Sequence, residues 1–335
     1  MPFELDAEIV CAASAVGKKE ADGPLGVDFD FCDPENRFGM KTWEEAESEM
    51  QRIAFNAALA KAGCTDREVD ALFAGDLLNQ CVGSAYGLLT FDVPYFGLYG
   101  ACSTCAEGLL LGASLVSGGM CELCAAVTSS HYCAAERQYR TPVEYGSQRP
   151  PTAQWTVTGA GAFLVARADA CHKDGIRIRR GMPGRVLDRG INDANNMGAA
   201  MAPAAADTLV RFFRGTDTDP ATYDRIVTGD LGFEGGEILC DLLRIEGYEM
   251  GERYTDCGQI IYDRKRQDVH GGGSGCGCSA VVLASHLLPR LREGAWKRIL
   301  FLSTGAMMSP DSIKQGRSIP GVAHLLELEG LEGGK

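Results

Sequence analysis

The chain has 335 residues, 45% hydrophobic and 23% charged, enough apolar material for a large buried core and too much for a disordered chain. Its net charge of −13 argues against nucleic acid and against an anionic membrane surface, since both recruit positive charge. Fourteen cysteines behind the charged N-terminus MPFELDAEIVCAASAVGKKE, which lacks an apolar leader, point to reduced thiols in a cytosol-like compartment. No run of about eighteen apolar residues is available to span a membrane, so the expectation is a soluble protein whose membrane role, if any, is peripheral.

Thr42 and Glu45 form a capping box ahead of an amphipathic helix over 43–62, which Gly63 ends. Residues 71–78, ALFAGDLL, predict a strand running into a loop, and 95–100 a second apolar stretch. A buried helix is expected over 107–117 and a buried strand over 121–129, followed by a polar, proline-containing excursion over 132–158. GAGAFLVAR, 159–167, is strand again. The second half repeats this order. A helix is expected over 201–213 with Pro203 near its start, then IVTGDL at 226–231, which echoes FAGDLL with 154 residues between Asp76 and Asp230. A Gly/Cys turn, GGGSGCGCSA, leads into a helix over 281–292 and then a strand, ILFLSTG. The tail from about Glu327 reads as loose. Strands alternating with helices, twice over, predict an α/β protein of two pseudo-symmetric halves, 1–170 and 171–335.

Two Cys-x2-Cys pairs, Cys102/Cys105 and Cys121/Cys124, stand fifteen residues apart, which on spacing alone reads as a four-thiolate zinc site. A helical spacer would hold the pairs roughly 20 Å apart, whereas zinc thiolates must all lie about 2.3 Å from one metal. A redox pair at Cys102/Cys105 would need a thiolate at a helix start. The third reading is a cysteine on a turn between strand and buried helix. No metal and no cofactor is expected. Gly271–Gly277 is no phosphate-binding loop, because the Lys-Ser/Thr element is missing.

The stretch GACSTCAEGLLLGASLVSGGMCELCAAVTSS resembles the thiolase superfamily, in which ketoacyl-synthases carry their nucleophile in an Ala-Cys-(Ser/Ala)-(Thr/Ser) turn. The resemblance places Cys102 at the nucleophile position and aligns GAGAFLV with a family strand. It implies two βαβαβαββ halves in a layered αβαβα arrangement, and a dimer. It also implies two polar partners for the cysteine. Where those enzymes have a histidine loop, this chain has Thr228-Gly-Asp230-Leu-Gly232. Where they have a second His or Asn, it has His270-Gly-Gly-Gly-Ser274-Gly-Cys-Gly-Cys, without asparagine.

The blocks AGDLLNQ, GACSTC, TSSH with AERQ, MAPAAADT, TGDL and GGSGC resemble the stage V sporulation protein AD family more closely. That resemblance implies a non-catalytic, soluble subunit of the SpoVA apparatus at the spore inner membrane. It would bind dipicolinic acid (pyridine-2,6-dicarboxylate), alone or with calcium, partner other SpoVA membrane proteins, and support dipicolinate uptake into the developing spore. The competing reading is a Cys102-dependent acyltransferase or 3-ketoacyl-synthase with an altered triad. Ligand candidates are Cys102; His131, at a strand end; Arg137 and Arg140, whose guanidinium forks suit a dicarboxylate; Thr156; Asp230; and Ser274. Gln154 and Thr158 are further candidates.

Overall fold

The computed structural model describes residues 1–139, 148–168 and 175–330. Its strands are β1 (Phe3–Val16), β2 (Phe31–Cys32), β3 (Ala71–Gly75), β4 (Tyr95–Gly97), β5 (Leu123–Ser130), β6 (Trp155–Thr156), β7 (Gly159–Arg167), β8 (Ile176–Met182), β9 (Arg225–Thr228), β10 (Tyr254–Asp256), β11 (Gly273–Ser274), β12 (Arg298–Ala306) and β13 (Gly321–Gly330). Ten of them form one sheet in the order β10-β9-β12-β13-β8-β1-β7-β5-β3-β4, with β2 beside β1. β6 and β11 form a separate two-stranded piece. The β3, β4 and β5 strands pair in parallel, as do β9, β10 and β12. Long antiparallel strands join these two groups through β7, β1, β8 and β13.

The layers follow from burial. The helix Thr104–Ser117 is buried on most sides and packs against β1, β3, β5 and β7 as well as β12 and β13. Gly108 and Gly112 let it lie close: a Cβ at Gly112 would stand 3.3 Å from Cys124 Cβ. The helix Cys276–Val282 shares this middle layer and continues through Leu283–Leu287 into Leu288–Arg292. On one outer side lies the helix Trp43–Ala62, against β1, β5 and β7. On the other lie Met197–Thr216, against β12 and β13, and Gly232–Ile245, which packs on it. This is the αβαβα arrangement expected for the thiolase superfamily.

The capping box and Gly63 do what the sequence predicts: Thr42 Oγ1 accepts from the Glu45 N–H, Glu45 accepts from the Thr42 N–H, and Gly63 takes φ +70°. Three expectations are corrected. The helix expected at 201 begins at Met197, capped by Asn196, so Pro203 lies inside it rather than near its start. The tail is not loose at Glu327: β13 runs to Gly330, and Glu327 is fully buried against Arg180 and Arg298. The 132–158 excursion contains a helix, Tyr132–Tyr139. The expected boundary at 170/171 falls outside the described residues. Cys124 stands against Gly112, two turns along the helix from Cys105, so the intervening helix separates the two cysteine pairs.

Candidate ligand-binding site

Beyond β4 the chain enters the turn Gly100–Ser103, which feeds the buried helix. Its own hydroxyls hold it. Ser103 Oγ donates to the Gly100 carbonyl (2.6 Å), Thr104 Oγ1 to the Ala101 carbonyl (2.7 Å), and the Gly100 N–H to Thr104 Oγ1 (3.1 Å). Ala101 takes φ +49°, a left-handed conformation that costs a non-glycine residue about 1–2 kcal/mol. Gly305 of β12 closes on the turn, and a Cβ there would sit 2.3 Å from the Gly100 carbonyl oxygen.

The turn delivers Cys102 to the floor of a cavity of about 300 Å³. Around it stand Tyr99, Glu136, Tyr139, Thr156 and Ser274, with Leu77, Ala135, Met197, Met308 and Ile313 as apolar wall and Gln148 and Asn195 as amides. Below, Cys276 packs with Cys102, Leu77 and Ala135, and its thiol donates to the Ser129 carbonyl (2.9 Å).

Asp230 lies fully buried behind this floor. Its Oδ2 accepts from Ser274 Oγ (3.1 Å) and the Gly275 N–H (2.9 Å), and its Oδ1 from Thr304 Oγ1 (2.8 Å). Gln154 Nε2 braces the loop by donating to the Asp230 and Gly273 carbonyls. Burial pushes the Asp230 carboxyl above its usual range, opposed by bonds from Cys102, Gly275, Thr304 and Ser274. Next to it, burial first and the charge of Asp230 among the further causes raise Asp256 to about 7.

This pairing sets the state of the thiol. Burial, then the Asp230 charge and its hydrogen bond, push Cys102 well above the ordinary thiol range. The Gly275 N–H and Ser274 oppose this more weakly. A helix N-terminus favours thiolate, but here it is outweighed, and the group at neutral pH is S–H.

The structure brings Cys102, Thr156 and Ser274 together at the cavity, with Asp230 directly behind. Two other candidates, His131 and Arg137, do not line this cavity. His131 is buried with its ring against Trp43; Nε2 lies 2.8 Å from the Asn36 carbonyl and Nδ1 accepts from the Ala134 N–H (3.4 Å). It caps the Tyr132–Tyr139 helix, and burial lowers its pKa. Arg137 forms an ion pair with Glu44, which lines a separate surface groove. Arg140 lies outside the described residues. Thr158 Oγ1 accepts from the Tyr132 N–H (3.1 Å) while its backbone N–H donates to the buried Glu20, and His270 turns to Pro150 and Asp268. Sequence reasoning missed Tyr99, Glu136 and Tyr139. Tyr99 stands three residues ahead of Cys102, and Glu136 lies within the AERQ block. Among the described residues no group of three or more His, Cys, Asp or Glu side chains could hold a metal ion, and no helix is long and apolar enough to cross a membrane.

A cysteine turn heading a buried helix inside a layered α/β sandwich is the thiolase-like fold. Solved structures agree at the level of fold. Cerulenin-bound OleA of Xanthomonas campestris is similar with TM-score 0.63 and 17% identity, covering 98% of each chain. The 3-oxoacyl-(acyl carrier protein) synthase III, FabH, of Xanthomonas oryzae is similar with TM-score 0.63 and 16% identity, over 98% of this chain and 100% of that one. The chain belongs to the stage V sporulation protein AD (SpoVAD) family, whose model matches residues 1–329. Stage V sporulation protein AD of Bacillus subtilis (strain 168) is 44% identical over 322 residues, 96% of this chain and 94% of that protein.

Proposed function

We propose that this sporulation protein is a binding module rather than an acyl-transfer catalyst. Its ligand is dipicolinic acid, alone or with calcium, held in the cavity over Cys102. It works as a peripheral subunit of the SpoVA apparatus at the spore inner membrane, in dipicolinate uptake. One observation carries the non-catalytic part: a buried carboxylate, Asp230, bonds to the cysteine from the loop where the resemblance to ketoacyl-synthases implies a histidine. A carboxylate cannot donate a hydrogen bond to a developing oxyanion, and its charge opposes thiolate formation. The cavity's size supports a small ligand, since small-molecule sites run from roughly 300 to 1,000 Å³. Its wall of apolar residues with a few hydroxyls and amides suits a flat aromatic acid. Calorimetric titration with dipicolinate tests the binding.

The second reading, acyl transfer through Cys102, is favoured by the strained, locked turn at a helix N-terminus. Incubation with acyl-CoA followed by intact mass tests it: an acyl increment on Cys102 supports it, and none counts against it.

The homodimer belongs to the same proposal. β4 is a sheet edge that exposes Tyr95 and Phe96, with Tyr86 and Leu89 also exposed nearby in the chain. An open apolar edge is a template for pairing with another chain.

A further inference from the structure

The hydroxyl groups around the cavity have already spent their hydrogens on the protein. Tyr139 Oη donates to the Leu77 carbonyl (3.1 Å), so in the Tyr99–Tyr139 pair (2.9 Å) Tyr99 is the donor. Thr156 Oγ1 donates to Glu136 Oε1 (3.0 Å), and Ser274 Oγ to Asp230 Oδ2 (3.1 Å). These four groups therefore offer lone pairs to the cavity, and a carboxylate ligand offers lone pairs too. One of the four hydroxyls must turn around if it is to bind such a ligand.

Two of the four, Thr156 and Ser274, donate to acids, and of these only Ser274 donates to one that is fully buried: Asp230 is shut off from water, whereas Glu136 is part-buried. The described groups facing Asp230 are neutral or acidic: Cys102 from the turn, Ser274 and the Gly275 N–H from the β11 segment, Thr304 from β12, and Asp256 from β10. The thiols Cys257, Cys276 and Cys278 also feel its charge. No described cation stands in this set to hold a second negative charge.

We propose that a carboxylate ligand enters the cavity together with one proton, which settles on Asp230 and turns the Ser274 hydroxyl toward the ligand. This rests on the placement of dipicolinate in this cavity. The balance is simple. A proton from solvent binds Asp230 Oδ2, the new O–H donates to Ser274 Oγ, and the released Ser274 hydrogen donates to a ligand carboxylate oxygen. The Gly275 N–H keeps its bond to Oδ2. The negative charge that the ligand brings against the cavity floor is thereby offset by loss of the Asp230 charge.

The test is calorimetry of the full chain with dipicolinate at about pH 6, 7 and 8, each in two buffers of different ionisation enthalpy. The expected result is a heat that depends on the buffer, uptake of about one proton per ligand, and affinity falling by up to about tenfold per pH unit toward the alkaline end. Asp230→Asn, neutral and isosteric, should abolish the proton uptake and flatten the pH dependence. Ser274→Ala, which only deletes a hydroxyl, should lose the proton uptake and bind at acid pH as weakly as the wild type does at alkaline pH. It carries the test if Asp230→Asn fails to fold. Glu20→Gln, at a buried carboxyl that does not line the cavity, should leave the proton uptake unchanged. Saturable binding with a buffer-independent heat and a flat pH profile overturns this proposal alone. No saturable binding at any of the three pH values removes the dipicolinate reading and this proposal with it.

Discussion

Asp76 and Asp230 close matching strand ends, yet they bond in different directions. Asp76, after β3, accepts from the Leu78 N–H (2.8 Å) in its own loop and from the Ser84 N–H (2.7 Å) and Ser84 Oγ (2.6 Å) in the helix Val82–Gly87 that follows it. Asp230, after β9, accepts from Ser274, Gly275 and Thr304, which come from two other elements, and its charge reaches Cys102. The repeated Gly-Asp-Leu therefore organises a loop in the first half and builds the cavity floor in the second.

The first prediction concerns the thiol. Cys102 should react with iodoacetamide far more slowly than the exposed Cys32 near neutral pH. Asp230→Asn should lower the Cys102 pKa and speed its alkylation, since it removes the charge that opposes thiolate. Peptide mapping against time checks both. An Asp230→Asn protein with unchanged Cys102 reactivity would break the link between them.

Glu20 gives a pH prediction. It is fully buried, its Oε1 accepts from the Thr158 N–H (3.0 Å) and bonds Tyr262 Oη, and burial raises its pKa to about 6. The folded state then holds more protons than the unfolded chain between the ordinary glutamate value and about 6. The stabilising contribution is complete below that window and is lost as pH rises through it. The loss is about 2 kcal/mol, at ~1.4 kcal/mol per pKa unit. Glu20→Gln should lose this slope and gain on the wild type above about pH 7. Urea unfolding across that range checks it; parallel curves for the two proteins would refute it.

Gly305→Ala should cost about 1–3 kcal/mol, because the new methyl meets the Gly100 carbonyl on a turn locked at both ends. The same substitution should weaken dipicolinate binding by shifting Cys102. Thermal unfolding reads the first effect and titration the second. A variant as stable as the wild type would mean the turn yields freely.

Phe96→Glu places a charge on the open β4 edge, where Phe96 is 51% exposed and stacks on Phe73. Light scattering after size exclusion should show the wild type as a dimer and the variant as a monomer. A wild-type monomer, or a variant that still dimerises, would remove β4 from the interface.

Legibility in the sequence followed the range of the interactions. The helix Trp43–Ala62 was legible because its capping box and terminal glycine are local, and β7 because eight successive buried residues form one run without a charge. The cysteine turn was legible through its resemblance to a known motif. What stayed hidden depends on distant partners. β1 opens with Glu4, Asp6 and Glu8, charges that carry no strand signal by themselves; the strand is fixed by β7 and β8 pairing on either side. Glu327 reads as loose until Arg180 and Arg298 meet it. Arg137 looks available for a ligand until Glu44, far back in the chain, pairs with it. His131 looks like a strand-end site residue, but Asn36 takes its ring nitrogen.

The most direct test of the central claim is calorimetric titration of the full chain with dipicolinate, repeated with Cys102→Phe. A saturable heat in the wild type, lost in a folded Cys102→Phe protein, is the predicted result and places the ligand over the cysteine. No heat from folded wild type across conditions with and without calcium, or binding undisturbed by Cys102→Phe, would contradict the assignment of this cavity.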